Sequence, residues 1–303
     1  MSLIRRFVGR LRALRFRYAG RSNTSYWTAH NVSEHRRFRS REESLEFLEW
    51  RNSQYLFYEE LIPYDELDGL VVADFGCGPG HDLVAIAERS SPARLIGLDI
   101  SSSSLDEARA RLALHGIEEP ELLLLDEDGT TLPLADASID LILSSGVLHH
   151  IVDPEPTLRE LHRVLRPGGR VRVMVYNRNS VWVHLYVPYT SQLVRGIDRK
   201  LPLDDAFRRS TDGANCPHSI AYRPDDFVTL AQRCGFEARS IGAAISALEM
   251  NQLPTRFDAI KNQVLAPEHR QFLVGLTFDE HGRPLHDGRV AGIGGFFELR
   301  KPG

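Results

Sequence analysis

The stretch Val71–Leu83, VVADFGCGPGHDL, decides how the rest of the chain is read. Branched and small apolar residues run into Asp74. Glycines follow at Gly76, Gly78 and Gly80, and then come an acid and an apolar run. The first part predicts a buried strand and the last part a helix. The glycines between them predict a turn whose backbone takes positive φ and comes close to a ligand. A dinucleotide loop would space its glycines G-x-G-x-x-G, with a pyrophosphate on the helix N-terminus. Here they alternate as G-x-G-x-G, Pro79 removes one N–H donor, and no G-x-x-x-x-G-K-[ST] is present. A ligand without phosphates fits this turn better.

Outward from that turn the alternation continues to Tyr176. Strands are predicted in RLIGLDI (94–100), ELLLLD (121–126), IDLILSS (139–145) and RVRVMVY (170–176). Helices are predicted in HDLVAIAERS (81–90), in the serine-capped segment from Ser101 that ends at Gly116, and in EPTLRELHRVL (155–165), which the turn RPGG closes. Apolar strands separated by helices imply βαβ units and a parallel sheet covered on both faces. RPDDFVTLAQRCGF (223–236) reads as a further helix, and EARSIGAAI (237–245) and GGFFELRK (294–301) as two further strands. The expected architecture is α/β and doubly wound, over residues 67–303, with insertions at about 177–221 and 246–291.

Residues 1–66 read as an N-terminal helical cap. Ser40 and Glu43 predict a capping box, and the helix runs on through SLEFLEWRNSQYLFYEELI (44–62) to Pro63. Met1–Arg21 holds seven arginines and no acid, with Ile4, Phe7, Leu11, Leu14 and Tyr18 at helical spacing. A surface helix is the expectation there. A membrane contact or a transit-like segment is the alternative.

The 303 residues are 42% hydrophobic and 26% charged, with a net charge of -4, so no global basic field points to nucleic acid. Cys77, Cys216 and Cys234 are too few and too scattered for a disulfide framework or a zinc site, and a cytoplasmic setting is expected. No apolar run approaches the roughly 20 residues that span a bilayer.

Asp99 ends the second strand, where a carboxylate can accept both hydroxyls of a ribose. With it in place, VVADFGCGPG, IGLDIS (96–101), TLPLADASIDLILSSGVLHH (131–150) and LRELHRVLRPGGRVRV (158–173) resemble the successive motifs of class I S-adenosylmethionine-dependent methyltransferases. The likeness covers about Gly69 to Tyr176. It implies a Rossmann-like seven-stranded, mostly parallel sheet with the last strand antiparallel, and S-adenosylmethionine as cofactor. It implies that Gly76, Cys77, Gly78, Pro79 and Gly80, entered from Asp74, cradle the amino-acid part. Asp99 would hold the ribose and Ile100 would pack on the adenine. Asp128, beside Gly129, would meet the adenine amine, with Asp126 as the alternative. Ser144, Ser145 and Gly146 would line the reacting carbon.

His149 and His150 are the base candidates, since imidazole titrates near neutrality. The first insertion adds Tyr176, Asn177, Trp182, His184 and Tyr186, an aromatic group suited to a cation or an apolar acceptor. Ser210 and Asp212 follow as further catalytic candidates, and Arg51 and Tyr55 of the cap are placed to close the site. No cluster has metal-ligand spacing. The segment SSGVLHHIVDP (144–154) lacks the proline–aromatic motif of enzymes that methylate base amines, which argues against nucleic acid.

The leading expectation is methylation of an oxygen or nitrogen on a small molecule of natural-product or sugar metabolism. The aromatic cover and the STDG loop (210–213) are also similar to methyltransferase-like azetidine-2-carboxylate synthases. In that chemistry the cofactor's amine attacks its own γ-carbon and methylthioadenosine leaves. A cofactor-binding protein without catalysis is the third possibility.

Overall fold

Every residue of β2 (Val71–Phe75) is buried, as a strand flanked by two others and covered on both faces requires. In this computed structural model, which describes residues 22–31, 35–126 and 129–303, β3 (Arg94–Asp99) and β5 (Ile139–Ser145) pair with β2 in parallel on its two sides. The basic stretch Met1–Arg21 and the expected adenine partner Asp128 lie outside the described residues. Beyond β3 lies β4 (Glu121–Leu124), and beyond β5 lies β6 (Leu165–Tyr176). The chain therefore builds away from β2 in one direction and later in the other. Such a reversal opens a crevice at the carboxyl ends of the strands, which is where Gly76 to Gly80 sit.

Three short strands of the second insertion, β8 (Thr277–Phe278), β9 (Pro284–His286) and β10 (Arg289–Val290), form a small sheet of their own, and the last strand, β11 (Gly294–Arg300), inserts antiparallel between β6 and β7 (Glu237–Ser246). Its direction brings Gly294 opposite Tyr176, at the same end of the sheet as the crevice. The seven expected strands are present with the expected polarity. An eighth, β1 (Tyr55–Leu56), comes from the N-terminal segment and pairs with the edge of β7.

Neighbouring residues of β11 enter opposite cores, as alternation along a strand demands. Phe297 packs on Phe227 together with Leu158 and Leu161, beneath the helices Glu155–Val164 and Pro224–Arg233. Phe296 packs on Tyr58 together with Val84 and Ile86, beneath the helix His81–Arg89.

Two local expectations change. The cap helix covers Arg41–Ser53 and stops there, because the chain turns into β1 instead of continuing to Pro63. Ser40 caps it through the Glu43 N–H, but the Glu43 carboxylate takes the Arg39 N–H at 2.9 Å, so only one arm of the box forms. The RPGG segment does not separate a helix from a strand. It lies within β6, where Ile139 pairs with Leu165 and Leu141 with Arg170, so residues 166–169 bulge out of register with Gly168 at φ +80.

The two insertions fold onto each other as one cover. A π-helical segment, Trp182–Val194, runs through it. Val181 and Leu185 pack against Leu253, Phe272 and Leu273 of the second insertion, while Val183 and Val187 pack against Phe207 of the first. Glu249, fully buried, joins the pieces. It accepts the Ser246 N–H and hydroxyl at 2.8 Å, the Trp182 N–H at 3.0 Å and the Ile293 N–H at 3.2 Å.

Burial pushes the Glu249 carboxyl up from the ordinary 4.5 to about 7, while its donors pull it down. A carboxyl with a raised folded value holds a proton in the folded state that the unfolded chain has already lost. The unfolding free energy should therefore fall as pH rises from about 4.5 to about 7. Urea denaturation of the wild type and Glu249→Gln across that range checks this, and the variant should lose that slope. Parallel curves would count against the assignment.

Candidate functional site

The three alternate glycines have three different reasons to be glycine. Gly76 takes φ +79, and a Cβ there would lie 2.2 Å from Val147 Cγ2. Gly80 takes φ +78, and its Cβ would press on Ala108 at 3.2 Å, so its absence lets two helices approach. Gly78 takes φ +52 and a Cβ there would meet nothing within 4 Å. Gly78 is the glycine that faces open space, in a cavity of about 430 Å³. Cys77 and Pro79 line the same cavity, whereas Gly80 does not and serves helix packing.

Two buried carboxylates frame this end. Asp99 Oδ2 accepts the Gly78 N–H and Oδ1 accepts the Ser101 N–H, each at 2.8 Å. Each oxygen keeps a further lone pair. Burial pushes the Asp99 carboxyl up, and these backbone donors pull it down. Asp74 is held well above the usual carboxylate range by burial, then by Asp82 and Asp99. Ile100, Leu125 and Gly129 line the cavity beyond Asp99.

The N-terminal segment closes the next wall. Arg51 Nη1 lies 2.9 Å from Asp82 Oδ1, which also accepts the Tyr64 hydroxyl at 2.8 Å. Tyr58 accepts from Arg51 at 3.1 Å and shares a hydrogen bond of 2.7 Å with Ser145 Oγ. Arg51 is thus committed to an ion pair beside the cavity it lines, and Tyr55 lies at its border. Asp82 and Tyr58 were not singled out by sequence. Asp82 carried a signal nonetheless, as the acid in the first turn after the glycines.

At the far end His150, Tyr176 and Asp212 come together. The Tyr176 hydroxyl donates to Asp212 Oδ1 at 2.8 Å, and the Thr211 hydroxyl donates to Oδ2 at 2.6 Å. His150 Nε2 lies 3.6 Å from Asp212 Oδ1. Its Nδ1 lies 2.8 Å from the His218 carbonyl, which can only accept, so Nδ1 carries a proton and Nε2 is the nitrogen turned to Asp212. Burial pushes the Tyr176 phenol well above its ordinary value and Asp212 adds to this, so it stays a donor. Tyr26 donates to the Asp212 carbonyl, Asn23 donates to the His150 carbonyl, and Trp27 meets the His150 ring edge-on at 4.7 Å.

Other expected site residues lie elsewhere. His149 is fully buried beneath Tyr176, stacked at 3.8 Å, and burial holds its imidazole well below the usual value. Ser144 is buried on the other face of β5, away from the cavity lining. Ser210 is occupied by the Trp182 indole N–H at 3.0 Å. Asn177 donates to the Gly292 carbonyl and ties β6 to the cover. Trp182, His184 and Tyr186 belong to the cover core, with His184 stacked on Phe272 at 4.0 Å. These aromatics share helical spacing with ligand-facing ones, and only packing separates them.

The structure also forms a group that spacing concealed: ligand atoms of His150, Asp212 and Cys216 lie within 4.8 Å of one another. The Cys216 thiol lies 3.4 Å from the His218 carbonyl, and burial pushes it up to about 12, so it is a neutral hydrogen-bonded thiol.

Residues 73–173 match the family model of the methyltransferase domain. Over that stretch the chain is similar to class I S-adenosylmethionine-dependent methyltransferases. An uncharacterized 37.1 kDa protein of a Streptomyces fradiae transposon is 44% identical over 114 residues, which are 36% of this chain and 32% of that one. The methyltransferase GfsG of Streptomyces halstedii is 37% identical over 113 residues, 36% of this chain and 40% of that one. The matched stretches thus span less than half the length of these curated relatives. The solved YcgJ protein of Bacillus subtilis aligns with a TM-score of 0.50 at 18% identity, covering 78% of this chain and 94% of that one, a likeness of fold.

S-adenosylmethionine is the cofactor of the methyltransferase domain. The open space at Gly78 and the remaining lone pairs of the buried Asp99 carboxylate fit a ligand with a ribose. No helix of the described residues is long and apolar enough to cross a membrane.

Gly76→Ala should cost about 2 kcal/mol or more of stability, from positive φ and the Val147 clash together. Gly78→Ala should cost only about 1 kcal/mol, from φ alone. Urea titrations of the two variants test the contrast, and equal losses would refute it.

Proposed function

We propose that the protein moves the methyl group of S-adenosylmethionine to an oxygen or nitrogen of a small molecule. The observation that carries this is a single cavity lined at one end by Gly78 and Asp99 and at the other by His150, Tyr176 and Asp212. Gly76 to Pro79 would hold the amino-acid part, Asp99 the ribose hydroxyls, and Ile100 the adenine. When bound, the cofactor supplies a methyl carbon on a sulfonium, whose C–S bond breaks with its electron pair going to sulfur.

The chain's own residues then have two tasks. They hold the acceptor in line, which is the larger part of the rate enhancement in a displacement of this kind. They also take the acceptor's proton. His150 Nε2 offers a lone pair next to Asp212, and the carboxylate stabilises the imidazolium that forms. The buried Tyr176 hydroxyl keeps Asp212 oriented. The cavity is walled by Trp27, Tyr55 and Met174, which favours a small, partly apolar acceptor over a polymer.

One observation favours a second reading. About 430 Å³ lies near the lower end of the range for a single drug-sized ligand. A reaction within the cofactor, in which its own amine displaces the thioether to close a four-membered ring, would need no room for an acceptor.

Asp99→Ala should weaken S-adenosylmethionine binding by about 2 kcal/mol, since a charged acceptor is lost from two hydroxyls. Unchanged affinity by calorimetry in a folded variant would refute the ribose assignment. His150→Phe should slow turnover by about 100-fold with affinity nearly kept. Mass spectrometry of the nucleoside products decides the reaction. Methyl transfer requires S-adenosylhomocysteine that appears only when an acceptor is added. Steady methylthioadenosine from the cofactor alone would establish the second reading instead.

A further inference from the structure

Asp212 ends the helix Leu203–Asp212 with its side chain 7% exposed. Its oxygens accept from two neutral hydroxyls, Tyr176 and Thr211. Among the described residues no arginine or lysine lies within salt-bridge range of it, and His150 is the one basic group in that range. A carboxylate buried this way is costly unless a cation or a charged donor joins it. His150 does not meet that need by itself, because its Nε2 lies 3.6 Å from Asp212 Oδ1, beyond hydrogen-bonding distance.

Asn23, which lines the same cavity, holds a further acceptor. Asn23 Nδ2 donates to the His150 carbonyl at 2.9 Å, which fixes the orientation of the amide. Its Oδ1 is then buried without a hydrogen-bond partner. Asn23, His150 and Asp212 line the same cavity, and so do the aromatic rings of Trp27, Tyr55 and Tyr176.

We propose that this end of the cavity is a binding site for a primary ammonium group. Its N–H donors satisfy Asp212 Oδ1, His150 Nε2 and Asn23 Oδ1, and the aromatic rings complete a cation site. A carboxylate in the same place would meet three acceptors and be repelled. An alcohol would bring one proton to three acceptors. The assignment rests on reading this cavity as the cofactor and acceptor site, and it names the chemical class held at its far end. The ammonium has two sources, a separate amine acceptor or the amino group of the cofactor itself.

The test is calorimetry with the full chain saturated with S-adenosylhomocysteine. It is titrated with primary alkyl and arylalkyl amines and with alcohols and carboxylates of the same skeletons. A separate amine should bind about tenfold or more tightly than its alcohol. Asp212→Asn should abolish that preference, and Asn23→Ala, in the short helix Asn23–Ala29 away from the sheet, should weaken it severalfold. A circular dichroism melt confirms that each variant is folded. If no added amine binds, yet Asp212→Asn lowers S-adenosylmethionine affinity about tenfold and the wild type releases methylthioadenosine, the site holds the cofactor's own ammonium. The proposal is overturned if alcohols or carboxylates bind as well as amines. It is equally overturned if both folded variants leave amine and cofactor binding unchanged. Methyl transfer fails separately: amines bound without any S-adenosylhomocysteine from S-adenosylmethionine would sink that reaction and leave the ammonium site standing. Methylation of alcohols alone would do the reverse.

Discussion

The Gly78 N–H donates to Asp99 Oδ2 at 2.8 Å, and the Ser101 N–H donates to Oδ1 at the same distance. The first bond joins the turn after β2 to the end of β3, and the second fixes the carboxylate within the turn after β3. They hold the glycine loop open over its own strand ends, and they stabilise a carboxylate that burial alone would drive toward protonation. A hydrogen bond from backbone to a charged acceptor is worth roughly 1.5–3 kcal/mol. The loop is therefore organised before a ligand arrives, and binding need not order it.

The other end of the cavity is assembled differently. Asp212 comes from the first insertion, His150 from the turn after β5, Tyr176 from the end of β6, and Asn23 and Trp27 from the N-terminal segment. No local sequence preference brings these together. They meet because the cover is fixed on the sheet by Glu249 and by apolar packing along the π-helical segment. The antiparallel entry of β11 also matters, since it delivers Ile293 and Gly294 to the same edge.

The electrostatics of the two ends follow from this division. Asp74, Asp82 and Asp99 cluster at the cofactor end with one guanidinium, Arg51, paired to Asp82. Asp212 stands at the far end with neutral donors. Acidic groups exceed basic ones along the whole cavity wall, although the surface of the chain is studded with arginine–carboxylate pairs. A cavity of that character selects cations by the cost of leaving its charges unpaired.

The sequence by itself determined the βαβ order, the glycine turn, Asp99, and the polarity of the sheet. These are periodic or local features, in which apolar spacing and backbone conformation are set by neighbours in the chain. It also brought His150, Tyr176 and Asp212 into consideration, but alongside His149, Ser210, Trp182 and His184, which the same reasoning could not tell apart from them. Only the tertiary structure separated them. A histidine one residue from another points to a different side of its turn, so His149 stacks beneath Tyr176 while His150 lines the cavity. An aromatic on a cover helix faces core or ligand according to what packs above it. That choice, and the orphaned Asn23 oxygen, depend on contacts between segments far apart in the chain, which spacing along the chain cannot encode.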